Sequence, residues 1–217
     1  MKLYHLTSAE YAISNIALRR LKIARFGDLN DPFELLAAGL KDKAFRKAVR
    51  SWKKEFHNTK GLLCFSADWK NPVLWSHYAD KHRGICLGFE VDDKYLTPVN
   101  YAKERIQIRF KNSDPEQGLE LDFVNEMLRT KYKHWVYEQE TRIFLDLNEG
   151  TKENGLFFCS FSDELQLNEV ILGPYCETPI EEIKNMVEKT NGPTKITKSR
   201  LGFTRFEVVP DQRYENK

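Results

Sequence analysis

The chain has 217 residues, and its 34 Lys and Arg residues nearly balance 32 Asp and Glu residues, for a formal net charge of +2. This balance excludes a uniformly basic, histone-like coat and a long acidic tail, and a hydrophobic content of 41% is too high for a disordered protein. A chain of this length buries about 70% of its unfolded surface on folding, so we expect a single domain over residues 1–217.

Apolar periodicity, helix caps and turn residues predict the order of elements along the chain. The predicted strands are residues 2–6, 21–23, 61–66, 85–91, 105–110, 138–147, 156–161, 169–172, 195–198 and 203–209. Five helices are predicted. The first begins at a capping box of Thr7 and Glu10, and the others cover residues 41–60, 71–84, 119–133 and 178–191. Strands outnumber helices and the late strands follow one another directly, which indicates an α+β fold with a mostly antiparallel sheet and flanking helices.

The basic residues are segregated along the chain. Residues 41–60 carry eight Lys or Arg against Asp42 and Glu55, a local charge of +6, at a spacing that predicts an amphipathic helix. Residues 189–206 add five basic residues without an acid. These stretches predict either a surface that binds nucleic-acid phosphates, or a solvated helix face and edge strands protected by lysine.

His5 is the first candidate site residue. It lies on the first predicted strand, and Thr7 points to the same sheet face if the strand extends that far. The residue types allow two interpretations. His5 is either a partly buried histidine satisfied by a backbone carbonyl, or a donor to a ligand hydroxyl or phosphate near the strand end.

A second group of candidates follows the strand that ends at Ser66. The next predicted helix carries Trp75, His77 and Tyr78, a mixture suited to stacking a flat ring and hydrogen-bonding its edge. Aromatic core packing is the alternative. His77 and His82 lie about 140° apart around a helix, so they do not chelate one metal ion, and we expect no metal.

The third candidate group is Glu138, Glu140 and Arg142, which share one face of a predicted strand. A guanidinium beside two carboxylates can hold one of them ionised, and such a carboxylate can bind a sugar hydroxyl and stabilise an oxocarbenium-like centre. The alternative is a solvated, salt-bridged outer face.

The sequence contains none of the common motifs for phosphate binding, dinucleotide binding, serine hydrolases or zinc sites. There is no GxxxxGK[ST], GxGxxG, GxSxG or HExxH pattern, and the four cysteines follow no zinc-like spacing. No signal-peptide-like segment and no run of 18 apolar residues occurs. We therefore expect a cytoplasmic protein with reduced thiols and no membrane association.

The segments LYHLTS, LNDPFE, LLCFS, NPVLWSHYADKHRGICLGFEV and HWVYEQETRIF resemble a widespread family of bacterial proteins, domain of unknown function 2971. The resemblance extends over roughly residues 3–175. It implies no reaction by itself, because most members of that family have no established activity.

The chain also resembles ADP-ribosyltransferases of the bacterial toxin and phage-defence type. His5 with Thr7 matches their first strand, Ser66 with Trp75 or Tyr78 could supply the middle element, and Glu138 or Glu140 the late acid. The Ser-Thr-Ser strand of that family has no counterpart here. The resemblance implies a split, mostly antiparallel sheet.

This second resemblance also implies that NAD is the co-substrate. The nicotinamide would stack on Trp75 or Tyr78, with His77 on the same helix, and His5 would bind the adenosine ribose. Glu140, preferred over Glu138, would stabilise the oxocarbenium ion, and Arg142 would keep Glu140 ionised. The ADP-ribosyl acceptor would be a protein or a nucleic acid. The alternative function is a non-enzymatic nucleic-acid-binding module that uses the basic helix 41–60 and exposed aromatic residues.

Overall fold

The computed structural model describes residues 1–214 apart from 35, 40, 42, 112, 113, 115 and 116. The helices of this part of the chain are α1 (Ala9–Leu18), α2 (Lys43–Thr59), α3 (Pro72–Tyr78), α4 (Leu121–Leu128) and α5 (Ile180–Thr190). The strands are β1 (Lys2–Thr7), β2 (Arg20–Ile23), β3 (Lys60–Ser66), β4 (Ile85–Val91), β5 (Thr97–Pro98), β6 (Asn100–Ala102), β7 (Thr130–Tyr132), β8 (Glu140–Asp146), β9 (Thr151–Glu153), β10 (Leu156–Ser160), β11 (Leu165–Leu172), β12 (Lys195–Leu201) and β13 (Val208–Pro210).

The main sheet has eight strands in the order β13-β12-β11-β4-β1-β3-β8-β5. Its neighbours pair antiparallel except β11 with β12, which are parallel and are connected through α5. Smaller sheets are formed by β2-β10-β9 and by β6-β7. The prediction of an α+β fold with a mostly antiparallel sheet is confirmed.

Both faces of the sheet are covered, as β4 illustrates. Ile85 and Leu87 belong to the largest hydrophobic cluster, to which α1 and α5 also contribute, whereas Cys86 packs with Trp75 of α3 in a second cluster. Because successive strand residues point to opposite faces, one strand anchors two cores. The alternation that predicted β4 from sequence therefore separates two apolar environments instead of a core from solvent.

Strand pairing in the main sheet is least extensive between β1 and β3. β1 pairs with β4 over six residue pairs, but its register with β3 consists of the single pair Tyr4 and Ser66. A ladder of one pair leaves the two strands free to diverge on either side of it. The main sheet is thus nearly divided at this point, and the candidate site lies there.

The start of α1 and the end of α3 differ from the prediction. Ser8 caps α1 by accepting a hydrogen bond from the Tyr11 amide, because Thr7 is the last residue of β1 and pairs with Ile85. α3 ends at Tyr78 and not near Gly84. The chain leaves the helix there because residues 80–82 all have positive φ, a left-handed conformation that a helix does not accommodate.

Larger differences occur in the middle of the chain. Residues 105–110 form isolated bridges at Ile106 and Phe110 and no strand, and the helix predicted over 119–133 is the shorter α4, followed by β7. The strand predicted from residue 138 begins at residue 140, because residues 133–138 form a 3-10 helix that ends at Gln139 with a φ of 44°. Of the strand predicted at 203–209, only β13 forms.

The predicted basic helix corresponds to α2, although Asp42 lies outside the described residues. Its apolar face is anchored by the buried side chains of Phe45 and Val49. None of the helices in the described part of the chain combines the length and apolar composition that a membrane crossing requires.

Candidate functional site

A cavity of about 340 Å³ opens where β1 and β3 separate. Its lining residues are Tyr4, His5, Leu6, Ala24, Asp28, Leu29, Asn30, Glu34, Cys64, Phe65, Ser66, Leu74, Tyr78, Lys131, Glu138 and Glu140. The volume lies in the range of small-molecule sites, and the wall combines apolar side chains with a few convergent ionisable groups. This combination makes the cavity the candidate functional site.

Five charged side chains pack together at one side of the cavity and form the buried charge cluster: Glu34, Lys131, Glu138, Glu140 and Arg142. Each of them is at most 7% exposed. Three carboxylates face two cations, so the fully ionised cluster would carry a net charge of −1. Because an uncompensated buried charge is costly, this excess negative charge raises the proton affinity of the cluster's carboxylates.

Arg142, the third residue of β8, makes most of the contacts within this cluster. Its Nη1 and Nη2 atoms donate to the two Glu34 carboxylate oxygens at 3.1 and 2.6 Å, and its Nε donates to Glu140 at 2.8 Å. The remaining donors reach Glu140 at 3.1 Å and the Leu128 carbonyl at 2.8 Å. All five guanidinium N–H groups therefore have partners, as a fully buried arginine requires.

Glu140 is held as a carboxylate. Burial alone would raise its pKa, but the charges of Arg142 and Lys131 outweigh burial and lower the pKa of Glu140 to about 2. Both carboxylate oxygens already accept hydrogen bonds from these two cations, with Lys131 Nζ at 3.1 Å. Little hydrogen-bonding capacity remains for a ligand, so this charge is committed to the cluster.

Glu138 has the opposite character. Its carboxylate accepts hydrogen bonds from the Tyr78 hydroxyl and from Lys131 Nζ, the latter at 2.6 Å. Burial raises the pKa of Glu138, and Lys131 offsets this only in part. Two neighbouring carboxylates whose pKa values are pushed apart are the arrangement from which acid–base chemistry is built. Glu138 is therefore the member of the cluster best suited to exchange a proton.

His5, on β1, also lines the cavity. Its Nδ1 lies 3.1 Å from the carbonyl oxygen of Cys64, which only an Nδ1–H can satisfy. Burial lowers the pKa of His5, with the Cys64 carbonyl opposing that shift. The ring is thus neutral at pH 7 with its proton on Nδ1, which leaves Nε2 as a hydrogen-bond acceptor.

The lowered pKa of His5 predicts a pH-dependent stability. The unfolded chain takes up a proton on this ring near its ordinary pKa of 6.5, whereas the folded chain does so only at lower pH. The free energy of unfolding of the native protein should therefore fall relative to that of His5→Gln as the pH decreases from 7 to 5. Urea denaturation across this range measures the difference. His134→Gln, which replaces an exposed histidine, is the control, and a difference independent of pH for His5→Gln would contradict the prediction.

The structure brings together some of the predicted site residues and separates others. His5, Tyr78, Glu138 and Glu140 line the same cavity, and so does Ser66, whose hydroxyl is occupied by Asp68. Arg142 lies behind the cavity wall within the buried charge cluster. Glu138 joins it from the end of the 3-10 helix and not, as predicted, from the same strand face as Glu140.

Three predicted ligand contacts have no support in the structure. Trp75 is completely buried and its Nε1 donates to the Trp69 carbonyl at 2.6 Å, so it packs in the core and cannot stack on a ligand ring. His77 points outward and its Nδ1 contacts the Tyr137 hydroxyl at 3.1 Å. Thr7, the last residue of β1, is not among the residues that line the cavity.

Sequence reasoning missed three residues at this site. Glu34 and Lys131 belong to the buried charge cluster, and the Tyr101 hydroxyl accepts a hydrogen bond from the Glu140 amide at 2.7 Å. One signal was available. An arginine inside the apolar run of β8 must find counterions when buried, and the carboxylate two residues away satisfies only part of its five donors.

The two basic segments, residues 41–60 and 189–206, are located at different parts of the main sheet. α2 contacts β3, whereas β12, which carries much of the C-terminal basic segment, lies four strand positions from β3, or about 19 Å. Lys198 is moreover tied to the carbonyls of Gly173 and Cys176 at 3.0 and 2.7 Å. The prediction that both segments form one phosphate-binding surface therefore has no support in this arrangement.

In the described part of the chain, no group of three or more His, Cys, Asp or Glu residues is arranged to hold a metal ion. The four cysteines are free.

Comparison with known families adds one observation to this geometry. Residues 74–143 match the family model described as "Protein of unknown function (DUF2971)". The DUF2971 match covers about a third of the chain, less than the predicted span of 3–175, and supports the resemblance to that family over this segment. It contains Tyr78, Lys131 and Glu138 but not His5. No curated protein and no solved structure matches the chain, and nothing in these comparisons supports the resemblance to ADP-ribosyltransferases.

Proposed function

We propose that the protein is a glycosyl-transferring enzyme that cleaves the bond between nicotinamide and ribose in NAD and passes the ADP-ribosyl group to an acceptor. One observation carries the proposal. Glu138, a buried carboxylate with a raised pKa, lines a cavity together with the neutral ring of His5 and the hydroxyl of Tyr78. The toxin or phage-defence context stays a prediction from the resemblance.

The chemistry assigns complementary roles to the two acids. As the C1′–N bond breaks, its electron pair leaves with the nicotinamide, and positive charge develops on the ribose. The ionised Glu140 supplies a fixed negative charge close to this centre, which stabilises an oxocarbenium ion electrostatically. As the nicotinamide leaves, the acceptor, which is water when no other acceptor is present, forms a bond to C1′ and gives its proton to the ionised Glu138. The raised pKa of Glu138 makes it a stronger base than an ordinary carboxylate.

The charge of the cavity indicates which part of NAD it suits. Its lining contains Asp28, Glu34, Glu138 and Glu140 against Lys131, and Arg142 lies directly behind Glu34 and Glu140. Four acids against these two cations leave an excess of negative charge. Such a wall attracts the positively charged nicotinamide ring and the developing oxocarbenium ion, and repels a diphosphate. The volume of about 340 Å³ also suits one half of the dinucleotide. The nicotinamide ribose therefore occupies the cavity, with Tyr78 as the ring contact, and the diphosphate lies outside it. In this placement His5 faces the nicotinamide ribose and not, as expected from the sequence, the adenosine ribose.

A matched pair of tyrosine variants tests this function. The purified protein is incubated with NAD, and released nicotinamide is measured by chromatography. Tyr78→Phe removes the hydroxyl that binds Glu138 and should slow release by about 10- to 100-fold, because a hydrogen bond to a charged group is worth about 1.5–3 kcal/mol. Tyr137→Phe, which removes a hydroxyl that binds His77 outside the cavity, should leave the rate unchanged. Absence of both NAD binding and nicotinamide release in the native protein would refute the proposal.

A further inference from the structure

A second cavity, of about 310 Å³, lies next to the candidate site. Its wall consists of Phe33, Leu36 and Ala37 with residues 102–105 and 130–132. Lys131 borders both cavities, and Phe33 and Glu34, adjacent in sequence, border one cavity each. A ligand in the second cavity is therefore close to the charged groups of the first.

The second cavity differs from the first in its chemistry. Phe33 and Tyr132 are about half exposed there, at 55% and 49%, and so present aromatic surface to a ligand. Lys103 and Arg105 are exposed on its wall against one acid, Glu104, and the Arg105 guanidinium lies 5.4 Å from the centre of the Phe33 ring. Aromatic faces next to cations are the features that bind a base and its phosphate.

The neighbouring helix α2 carries a second basic surface, on the side turned away from the core. Phe45 of α2 packs in one hydrophobic cluster with Ala38 and Ile106, which adjoin the second cavity in sequence. On its exposed face, α2 carries a basic stripe at four positions spaced four, three and four residues apart. The stripe consists of Lys43, Lys47, Arg50 and Lys54. At 1.5 Å per residue it is about 16 Å long, more than a single nucleotide needs.

We propose that the second cavity binds one nucleotide of a single-stranded nucleic acid, whose backbone continues along the basic stripe of α2, and that this strand is the acceptor. The role as acceptor rests on the proposed function, but the binding does not. A single strand suits the site better than a duplex, because a base must leave its stack to reach Phe33 and Tyr132. A strand also uses the cations of α2, which a free nucleotide in the cavity leaves without a partner.

Binding is tested without NAD, by fluorescence anisotropy of fluorescein-labelled 12-nucleotide strands of DNA and RNA. Tyr132→Ala should weaken binding by about 5- to 100-fold through lost stacking, and Lys103→Glu, an exposed substitution that leaves the fold intact, should weaken it by about 10-fold or more. The control is Lys189→Glu, a charge reversal on α5, which packs against α1 and β12; its affinity should equal that of the native protein. Affinities of Tyr132→Ala and Lys103→Glu equal to the native value would overturn the inference.

The salt dependence tests the contribution of α2. The double variant Lys47→Ala, Arg50→Ala should reduce the slope of log affinity against log salt by about 1.4, or about 0.7 for each lost contact with a single-strand phosphate. An unchanged slope would overturn the path along α2. Binding of AMP that equals or exceeds that of the strands would overturn the assignment to a nucleic acid.

The two proposals fail in different ways. Strand binding with the expected variant effects but without nicotinamide release would refute the enzymatic function and leave a nucleic-acid-binding module. Nicotinamide release without strand binding would refute only the inference about the second cavity. If both hold, the strand should gain the mass of one ADP-ribosyl group in the presence of NAD, and Lys103→Glu should reduce this modification.

Discussion

Nicotinamide release from NAD is expected to fall by about 10²- to 10⁴-fold in the Glu138→Gln variant, the range for removal of a catalytic acid or base. The amide keeps the size of the side chain and can still accept a hydrogen bond from Lys131, but it takes up no proton from the acceptor. Initial rates of nicotinamide release measure the effect, and thermal unfolding establishes that the variant is folded. Glu188→Gln, on the exposed side of α5, is the matched control and should be fully active.

The corresponding substitution Glu140→Gln distinguishes the proton-accepting role of Glu138 from the electrostatic role of Glu140. Glu140→Gln removes the main partner of Arg142 Nε and weakens the buried charge cluster, so we expect it to lower the stability as well as the rate. If Glu140→Gln instead folds with native stability and abolishes release while Glu138→Gln remains active, the catalytic role belongs to Glu140, as the sequence resemblance preferred.

Arg142→Met is expected to lower the free energy of unfolding by about 3–5 kcal/mol, the cost of breaking a buried ion pair from one side. Methionine fills most of the space but leaves Glu34 and Glu140 buried beside Lys131 as their one remaining cation. Urea denaturation measures the loss. Arg109→Met is the control, because Arg109 pairs with Glu126 at the surface, where such pairs contribute about 1 kcal/mol or less.

A double-mutant cycle identifies the source of this loss. Combining Arg142→Met with Glu34→Gln removes a cation and an anion together, so the double variant should lose less stability than the sum of the two single variants. Strict additivity, or equal losses for Arg142→Met and Arg109→Met, would contradict the energetic role of the buried charge cluster.

Local signals in the sequence were sufficient for much of the fold. Asn71 followed by Pro72 predicts the start of α3, and the Asn71 side chain does cap that helix by accepting from the Val73 amide at 2.9 Å. The alternating run of β4 predicts a strand because side-chain direction in a strand depends only on neighbouring residues. These elements are determined by groups a few residues apart.

The charged partners in the site are determined by tertiary packing instead. Glu34 and Arg142 are 108 residues apart, and no spacing rule connects a loop carboxylate with a strand arginine. Lys131 fits a helical pattern continued from α4, yet it lies on β7, because pairing of β7 with β6 outweighs local helix propensity. For Trp75 the helix was predicted correctly but the role of the side chain was not. An aromatic residue on a capped helix has the same sequence signature whether it faces a ligand or the core.

The position of Lys131 in the walls of both cavities has a thermodynamic consequence. A ligand in either cavity that displaces its ammonium group from Glu138 and Glu140 changes the free energy of binding in the other cavity. Linkage makes this coupling reciprocal: the factor by which a bound strand changes the affinity for NAD equals the factor by which NAD changes the affinity for the strand. The order in which donor and acceptor arrive then affects the rates of assembly but not the stability of the ternary complex.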